Sequence, residues 1–217
     1  MEISMRLKSF LFAAVIAFSA PVFAEEIPVM GTIKNPAQMP AGVYQLDSSH
    51  AHTVFFINHL GFSEYTGAFH DIQGDLNFTP AKLEDSKLNV VIKPASVIVQ
   101  SAKLTEELKG EKFFNTAKYP EIKFVSTKLV KATDTTGQMT GNLTFMGVTK
   151  PVTLNVSFVG GGTNPMSKAQ TMGFTASGSI KRSEFGMTNY LPGLSDDVRL
   201  DISAEFAQTP PTPARTQ

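Results

Sequence analysis

Apolar and polar residues alternate over much of the chain, most clearly towards its C-terminal end. There Val198, Leu200, Ile202, Ala204 and Phe206 are separated by single polar residues. Successive side chains of a β-strand point to opposite faces, so this pattern predicts a strand with one buried face. Similar alternation predicts strands over residues 139–145, 152–158 and 172–180.

Less regular apolar segments in the first half of the chain predict further strands. They cover residues 43–47, 52–59, 67–78, 88–92 and 122–130, with a bulge expected near Gly74. Strands joined mostly by short turns must close on themselves or pack as two sheets to cover their edges and apolar faces. We favour closure. The predicted fold class is therefore all-β, an eight-stranded antiparallel barrel with one short helix.

Residues 101–114 break the alternation and predict the helix. Ser101 is a suitable N-cap, and Leu104 and Leu108 stand at helical spacing. Among the turns, Gly147 can adopt positive φ and predicts a tight hairpin, whereas the glycines at 160–162 predict a flexible loop.

The two ends of the chain differ from the region between them. Residues 1–24 have a basic start, an apolar run of about ten residues and small residues before Ala24, which predicts a secretory signal peptide. The run is too short for a transmembrane anchor, since a spanning helix needs roughly 20 apolar residues. Residues 25–41 and 209–217 contain several prolines without periodicity and predict a flexible leader and a disordered tail. Residues 42–208 form the predicted barrel domain of an exported protein.

The amino-acid composition argues against several classes of function. The 217 residues include no cysteine and no tryptophan, and 19 basic residues balance 19 acidic ones. A chain without cysteine forms no disulfide and offers no thiolate nucleophile or cluster ligand. Balanced charge argues against a nucleic-acid partner. The lack of tryptophan argues against a membrane-spanning barrel, since such barrels carry aromatic girdles.

Candidate catalytic and metal-binding groups are few. His50 and His52 could chelate a metal because residues two apart on a strand point the same way, but His59 would face the other side. Asp196 and Asp197 are interpreted as turn residues, and no nucleophile-elbow motif occurs. We predict no metal, no cofactor and no catalytic residue. A metal-dependent enzyme is the less favoured alternative.

The 17 phenylalanines are the most informative feature of the composition. So many rings in a small exported barrel predict a cavity that holds an apolar molecule. The phase of the alternation selects the candidate lining, which is Phe55, Ile57, Phe69, Ile72, Val90, Ile92, Phe124, Leu143 and Phe174. A phase error of one residue would exchange the two faces. The alternative is a barrel filled by its own side chains that acts as an interaction module in the envelope.

Several short motifs follow one another between about residues 43 and 207. They are Tyr44-Gln45-Leu46-Asp47 with His50, His59-Leu60-Gly61-Phe62-Ser63, Gly67-Ala68-Phe69, Ile72-Gln73-Gly74-Asp75-Leu76, Lys112-Phe113-Phe114-Asn115, Tyr119-Pro120-Glu121-Ile122-Lys123-Phe124, Gly141-Asn142-Leu143-Thr144, Gly147-Val148-Thr149-Lys150-Pro151-Val152 and Arg182-Ser183-Glu184-Phe185-Gly186-Met187. Their order resembles the YceI-like family of periplasmic polyisoprenoid-binding proteins.

The resemblance implies a lipocalin-like barrel, a periplasmic location and a homodimer, with a tunnel that holds a polyisoprenoid or isoprenoid quinone-type lipid. One motif departs from the family, whose helix often carries an Arg-Asp-x-His-Leu run. Here the helix contains Leu104-Thr105-Glu106-Glu107-Leu108. A helix that lines the tunnel mouth would then present a negative edge in place of a positive one. Such an edge disfavours a pyrophosphate head group and favours a neutral one, such as a quinone or a fatty amide.

Overall fold

A computed structural model describes residues 32–208. The predicted signal peptide, the first part of the predicted leader and the predicted tail lie outside the described residues. Within them, the chain forms ten strands and one α-helix. The strands are β1 (Gly42–His59), β2 (Ser63–Phe69), β3 (Ile72–Phe78), β4 (Lys87–Ile92), β5 (Val97–Val99), β6 (Ile122–Lys131), β7 (Thr136–Phe145), β8 (Val148–Thr163), β9 (Gln170–Lys181) and β10 (Leu194–Gln208), and the helix is α1 (Ala102–Lys109). Short 3-10 helices cover Pro36–Gln38, Leu83–Asp85, Pro94–Ser96 and Arg182–Phe185.

The strands form one closed antiparallel sheet. β6 to β10 follow one another in order, and β10 pairs with β1 to close the ring. β1 pairs with β2 along its second half and with β3 along its first half, so β2 and β3 together occupy one strand position of the barrel. On their far sides β2 pairs with β5 and β3 with β4, so β5 and β4 together occupy the next position, and the ten strands fill eight positions. The predicted eight-stranded barrel with one helix is confirmed.

Two strand predictions in the first half of the chain need correction. Residues 43–47 and 52–59 belong to a single strand, β1, whose register against β10 shifts between Asp47 and Ala51. The predicted strand 67–78 is instead divided at His70 and Asp71 into β2 and β3. The expected bulge near Gly74 is wrong, because β3 pairs with β4 there without a register shift.

The helix is shorter than predicted. The Ser101 hydroxyl accepts a hydrogen bond from the Leu104 N–H (3.3 Å), as expected for an N-cap. The helix ends at Lys109, and Gly110 follows as the C-cap. The chain then turns inwards, because the Phe114 ring packs against the rings of Phe55, Phe69 and Phe145. The predicted extension to residue 114 is therefore wrong.

The predicted Gly147 hairpin is confirmed, with φ of 77° at Gly147 between β7 and β8. The glycines at 160–162 do not form a flexible loop, since all three lie in β8. Gly161 exchanges two backbone hydrogen bonds with Ile33 (2.6 and 2.9 Å). A Cβ at Gly161 would lie 2.5 Å from the Met39 sulfur, so a larger residue would exclude the segment that crosses there.

Residues 32–41, the second part of the predicted flexible leader, are packed against the barrel. The Met39 side chain is 2% exposed and joins a core cluster with Tyr44 and Phe158. The Tyr44 hydroxyl donates a hydrogen bond to the Pro40 carbonyl (2.8 Å). Packing on the strands thus orders a segment whose own sequence has no periodicity.

The barrel has two ends that we name by the segments they carry. The helix end carries α1, the β1–β2 turn (residues 60–62) and the β9–β10 loop (residues 182–193). The leader end carries residues 32–41, the β3–β4 loop (79–86) and the β6–β7 turn (132–135). A separate core cluster lies towards each end. No helix within residues 32–208 has the length and apolarity needed to cross a membrane.

Candidate functional site

The barrel encloses a cavity of about 950 Å³. It is bordered by the inward faces of the strands, which are almost entirely apolar along the middle of the barrel. The two core clusters pack towards either end, and the cavity lies between the inward side chains that connect them. The predicted alternative of a filled barrel is therefore wrong.

All nine residues of the predicted lining border the cavity. Phe69 and Ile72 are buried (6% and 2% exposed), whereas the other seven are half-buried although they point inwards. Such intermediate exposure at inward positions is what an unfilled interior produces. The structure thus brings the nine side chains together around one space, and their contact with a ligand stays a prediction.

The cavity extends to the helix end, where three chain segments form a rim. The Leu60 N–H donates to the Gly193 carbonyl (2.7 Å), which joins the β1–β2 turn to the β9–β10 loop. The Asn189 side chain donates to the Lys112 carbonyl (2.6 Å), and the Phe113 ring stacks on Tyr190 at 5.9 Å. The side chains that border the opening here are His59, Leu60, Tyr65, Leu104, Glu107, Phe113 and Tyr190. As expected, the helix lines one end of the cavity.

The cavity also extends to the leader end, where its border is polar. The β6–β7 turn contributes an ion pair between the Lys131 ammonium and the Asp134 carboxylate (2.7 Å). This pair lowers the pKa of Asp134. The polar residues that border this end are Glu84, Ser86, Lys131, Thr133, Asp134, Thr135 and Thr136. The two openings therefore differ in chemistry.

Arg182 is a buried cation at the border of the cavity, with 2% exposure. Its guanidinium donates hydrogen bonds of 2.8 to 3.0 Å to four backbone carbonyls, those of Met187, Asn189, Leu194 and Ser195. Burial lowers its pKa, but an arginine remains protonated at neutral pH. The cation thus binds both ends of the β9–β10 loop and fixes the loop that forms part of the helix-end rim.

The Asp196 carboxylate also binds the β9–β10 loop, at Ser183. Asp196 accepts hydrogen bonds from the Ser183 N–H (2.8 Å) and hydroxyl (2.7 Å), which lower its pKa. Asp197 instead pairs with Lys181 on the surface (3.0 Å). Asp196 and Asp197 thus have separate partners, and both lie in β10, so their interpretation as turn residues is wrong.

Of the two histidines of the metal alternative, His52 borders the cavity and His50 does not. His50 lies in the β1 bulge, where its Nδ1 is 2.9 Å from the Asp47 carboxylate, and this hydrogen bond raises the pKa of the exposed imidazole. The Ser49 hydroxyl donates to the same carboxylate (2.6 Å). His52 is exposed on β1. Among residues 32–208, no group of three or more histidine, aspartate and glutamate side chains is arranged to hold a metal ion.

Sequence reasoning missed the residues that shape the openings. Leu60 and Tyr190 lie on turns, where alternation gives no signal, and Arg182 lies in a motif that carried only the resemblance. Leu60 and Tyr190 have positive φ (56° and 64°), which is unusual for their residue types, and the Leu60 N–H is bound to the distant Gly193 carbonyl. Arg182 stands between Lys181 and Ser183, and nothing in this polar context indicates that its side chain is buried.

A closed antiparallel barrel around an elongated apolar space defines a class of proteins built to enclose a small apolar molecule. Residues 44–206 match the model of the YceI-like domain. The chain therefore belongs to the YceI-like family, and the resemblance noted from its motifs is confirmed.

Relatives and solved structures agree with this assignment. Protein YceI of Salmonella arizonae is 39% identical over 170 residues, covering 77% of this chain and 88% of the relative. The crystal structure of the Campylobacter jejuni YceI protein is 34% identical with a TM-score of 0.64, and the alignment covers 70% of this chain and 90% of that one. A polyisoprenoid binding domain from Saccharophagus degradans shares the fold at 14% identity and a TM-score of 0.54, covering 78% of this chain and 100% of that domain.

Proposed function

We propose that this protein is a periplasmic carrier that holds the apolar chain of one lipid inside its barrel. The observation that carries the proposal is the cavity of about 950 Å³ with its apolar walls. Its volume lies near the upper end of the range of roughly 300–1,000 Å³ that is typical of ligand pockets. The fold shared with a polyisoprenoid binding domain supports a long prenyl chain as the occupant.

The energetics favour a long chain over a compact ligand. Each methylene removed from water contributes about 0.8 kcal/mol, so ten buried methylenes contribute about 8 kcal/mol before the costs of association. The elongated interior between Phe55, Phe124 and Phe174 offers contact along a whole chain. Micromolar binding corresponds to about 8 kcal/mol after these costs, so it requires a chain with clearly more than ten buried methylenes.

The charges near the helix end favour a neutral head group. Glu107 borders the opening, and its carboxylate is 4.0 Å from the Lys103 ammonium, the limit for an ion pair. Arg182 directs four hydrogen bonds to backbone carbonyls rather than into the cavity. We therefore propose an isoprenoid quinone, a polyprenol or a fatty amide ahead of a prenyl pyrophosphate.

The location and the assembly state remain part of the proposal. Residues 1–24 have the pattern of a secretory signal, and the YceI-like family supports a periplasmic location. The family resemblance likewise supports a homodimer. A binding role is favoured over catalysis because three charged groups at the cavity border, Arg182, Lys131 and Asp134, are engaged in structural hydrogen bonds and an ion pair.

The proposal is tested with a substitution that places a larger side chain in the cavity. Ala176 on β9 borders the cavity, whereas its neighbour Ser177 faces outwards and is exposed. Ala176→Trp should lower the affinity for a fluorescent prenyl quinone at least about tenfold, because the indole takes the volume of several methylenes. Ser177→Trp is the matched control and should bind like the wild type.

Mass spectrometry of the native protein would identify what copurifies with it. We expect a prenyl lipid in the wild type and in Ser177→Trp, and little in Ala176→Trp. Equal lipid content and equal affinity in the two variants, with both shown to be folded by circular dichroism, would overturn the proposal.

A further inference from the structure

Three large apolar or aromatic side chains at the helix end face water. Leu60 is 56% exposed, Phe62 87% and Tyr190 59%. Single exposed apolar residues are common on protein surfaces. These three instead belong to two adjoining segments of one rim, and Leu60 and Tyr190 also border the cavity. The exposed apolar surface is thus continuous with the interior.

The β1–β2 turn is held in a conformation that exposes these side chains. The Phe62 N–H donates to the His59 carbonyl (3.0 Å), and the Gly61 N–H donates to the Asn58 side chain (2.8 Å). The Leu60 N–H is bound to the Gly193 carbonyl. The backbone therefore presents Leu60 and Phe62 outwards and does not let them fold back on the barrel.

The charges beside this rim largely cancel. The two lysines and two glutamates of α1 give it no net charge, and the Lys109 ammonium pairs with the Glu106 carboxylate at 2.8 Å. Glu107, 4.0 Å from Lys103, is still the carboxylate nearest the opening, but Glu111 and Lys112 add only one charge of each sign to the surface around it. A surface with apolar side chains and little net charge matches a zwitterionic lipid bilayer, and a tyrosine ring suits its interfacial region.

The leader end does not share this chemistry. Its opening is bordered by Glu84, Thr133 and the Lys131–Asp134 ion pair, all of which favour water. Exposed apolar residues do occur near this end, namely Val43, Val130, Val159 and Met166 (91% exposed, on the β8–β9 loop), but none of them borders the cavity. Among residues 32–208, only at the helix end do exposed large apolar side chains also border the interior.

We propose that the helix end docks on a lipid bilayer through Leu60, Phe62 and Tyr190. Docking places the opening against the membrane interface, so an apolar chain passes between membrane and cavity without crossing water. The passage of ligand rests on the proposed carrier function. The docking itself does not, because it is measured with a membrane that contains no cavity ligand.

The test measures partition of the protein on to vesicles of pure phosphatidylcholine by flotation. The variant Phe62→Ser should lower the partition constant at least about tenfold, since the exposed ring is the largest apolar group offered to the membrane. Leu60→Ser should lower it by a smaller factor. Met166→Ser removes an equally exposed apolar side chain away from the rim and should leave partition unchanged. Raised salt should have little effect.

Several outcomes would overturn the docking proposal. The first is that the wild type does not bind vesicles. The second is that Phe62→Ser and Met166→Ser lower the partition constant equally. Light scattering adds another, because a wild-type dimer that becomes a monomer in Phe62→Ser, without vesicle binding, would make this surface a contact between copies. The two proposals can fail separately. If Ala176→Trp left ligand affinity unchanged while the wild type still bound vesicles, the carrier function would be refuted and the docking proposal would stand.

Discussion

The four carbonyl contacts of Arg182 make this residue the main support of the helix-end rim. Substitution by methionine keeps much of the side-chain length but removes the donors to Met187, Asn189, Leu194 and Ser195. Because buried acceptors without partners cost about 1–3 kcal/mol each, Arg182→Met should lower the free energy of unfolding by about 3 kcal/mol or more. Urea denaturation measures this change.

The exposed neighbour Lys181 provides the control. Its ammonium pairs with Asp197 at the surface, and exposed pairs contribute roughly 0–1 kcal/mol, so Lys181→Met should unfold nearly as the wild type does. Arg182→Lys should fall between the two, since an ammonium keeps the charge but not the fork of donors. Equal stability of the methionine variants at 181 and 182 would refute the role given to Arg182.

Among the elements, α1 determines the charge at the helix-end opening. Glu107 borders the cavity there, whereas Glu106 is paired with Lys109 and does not border it. A charge a few ångströms from a second one in water contributes about 1 kcal/mol, so Glu107→Gln should raise the affinity for a polyprenyl phosphate relative to the matching polyprenol several-fold. Glu106→Gln should leave this ratio close to the wild-type value.

Competition against a fluorescent prenyl quinone gives both affinities on one protein sample. A ratio that does not change in Glu107→Gln would mean that the head group lies away from α1, for example at the polar leader end. A ratio that rises equally in Glu106→Gln would mean that the net charge of the helix acts, rather than the carboxylate at the opening.

Local sequence pattern predicted most strands because alternation records which side of the sheet is buried. It could not place the break at His70 and Asp71, because that break depends on β1 changing partners from β2 to β3 along its length. β5 was missed because three residues between a 3-10 helix and α1 carry no detectable period. The glycines of β8 were misread because the segment that crosses them is distant in the chain.

At the site, too, the sequence predicted what is local and missed what depends on contacts between distant segments. Alternation phase selected nine residues that do border the cavity, since the inward face of a barrel strand is a local property. Alternation does not report whether inward side chains meet, and Phe69 and Phe55 have the same pattern although one is buried and the other half-buried. The rim residues Leu60 and Tyr190 lie on turns whose positions are decided by contacts between segments.

At the scale of the whole molecule, an apolar cavity of about 950 Å³ links stability to occupancy. A ligand that binds only the folded barrel adds about 2.7 kcal/mol at a hundred times its dissociation constant. For a domain of this size, that corresponds to a rise in Tm of roughly 5–10 °C. Protein delipidated by organic extraction and refolded should therefore melt lower, and should recover when a prenyl quinone is added.

Calorimetry of the two forms measures this difference. Ala176→Trp should need at least about tenfold more quinone for the same rise in Tm, because the indole takes part of the cavity. A delipidated wild type whose Tm does not respond to quinone at any concentration would argue against occupancy as a source of stability.

The pairing of β1 with β10 has a consequence for the biogenesis of the protein. These partners are the first and last strands of the sheet, so the edge of β1 that receives β10 has no counterpart until nearly the whole polypeptide has been synthesised. Rings closed by such long-range contacts form slowly. A chain whose ring closes late stays unfolded for longer during synthesis, which is compatible with the export that we propose.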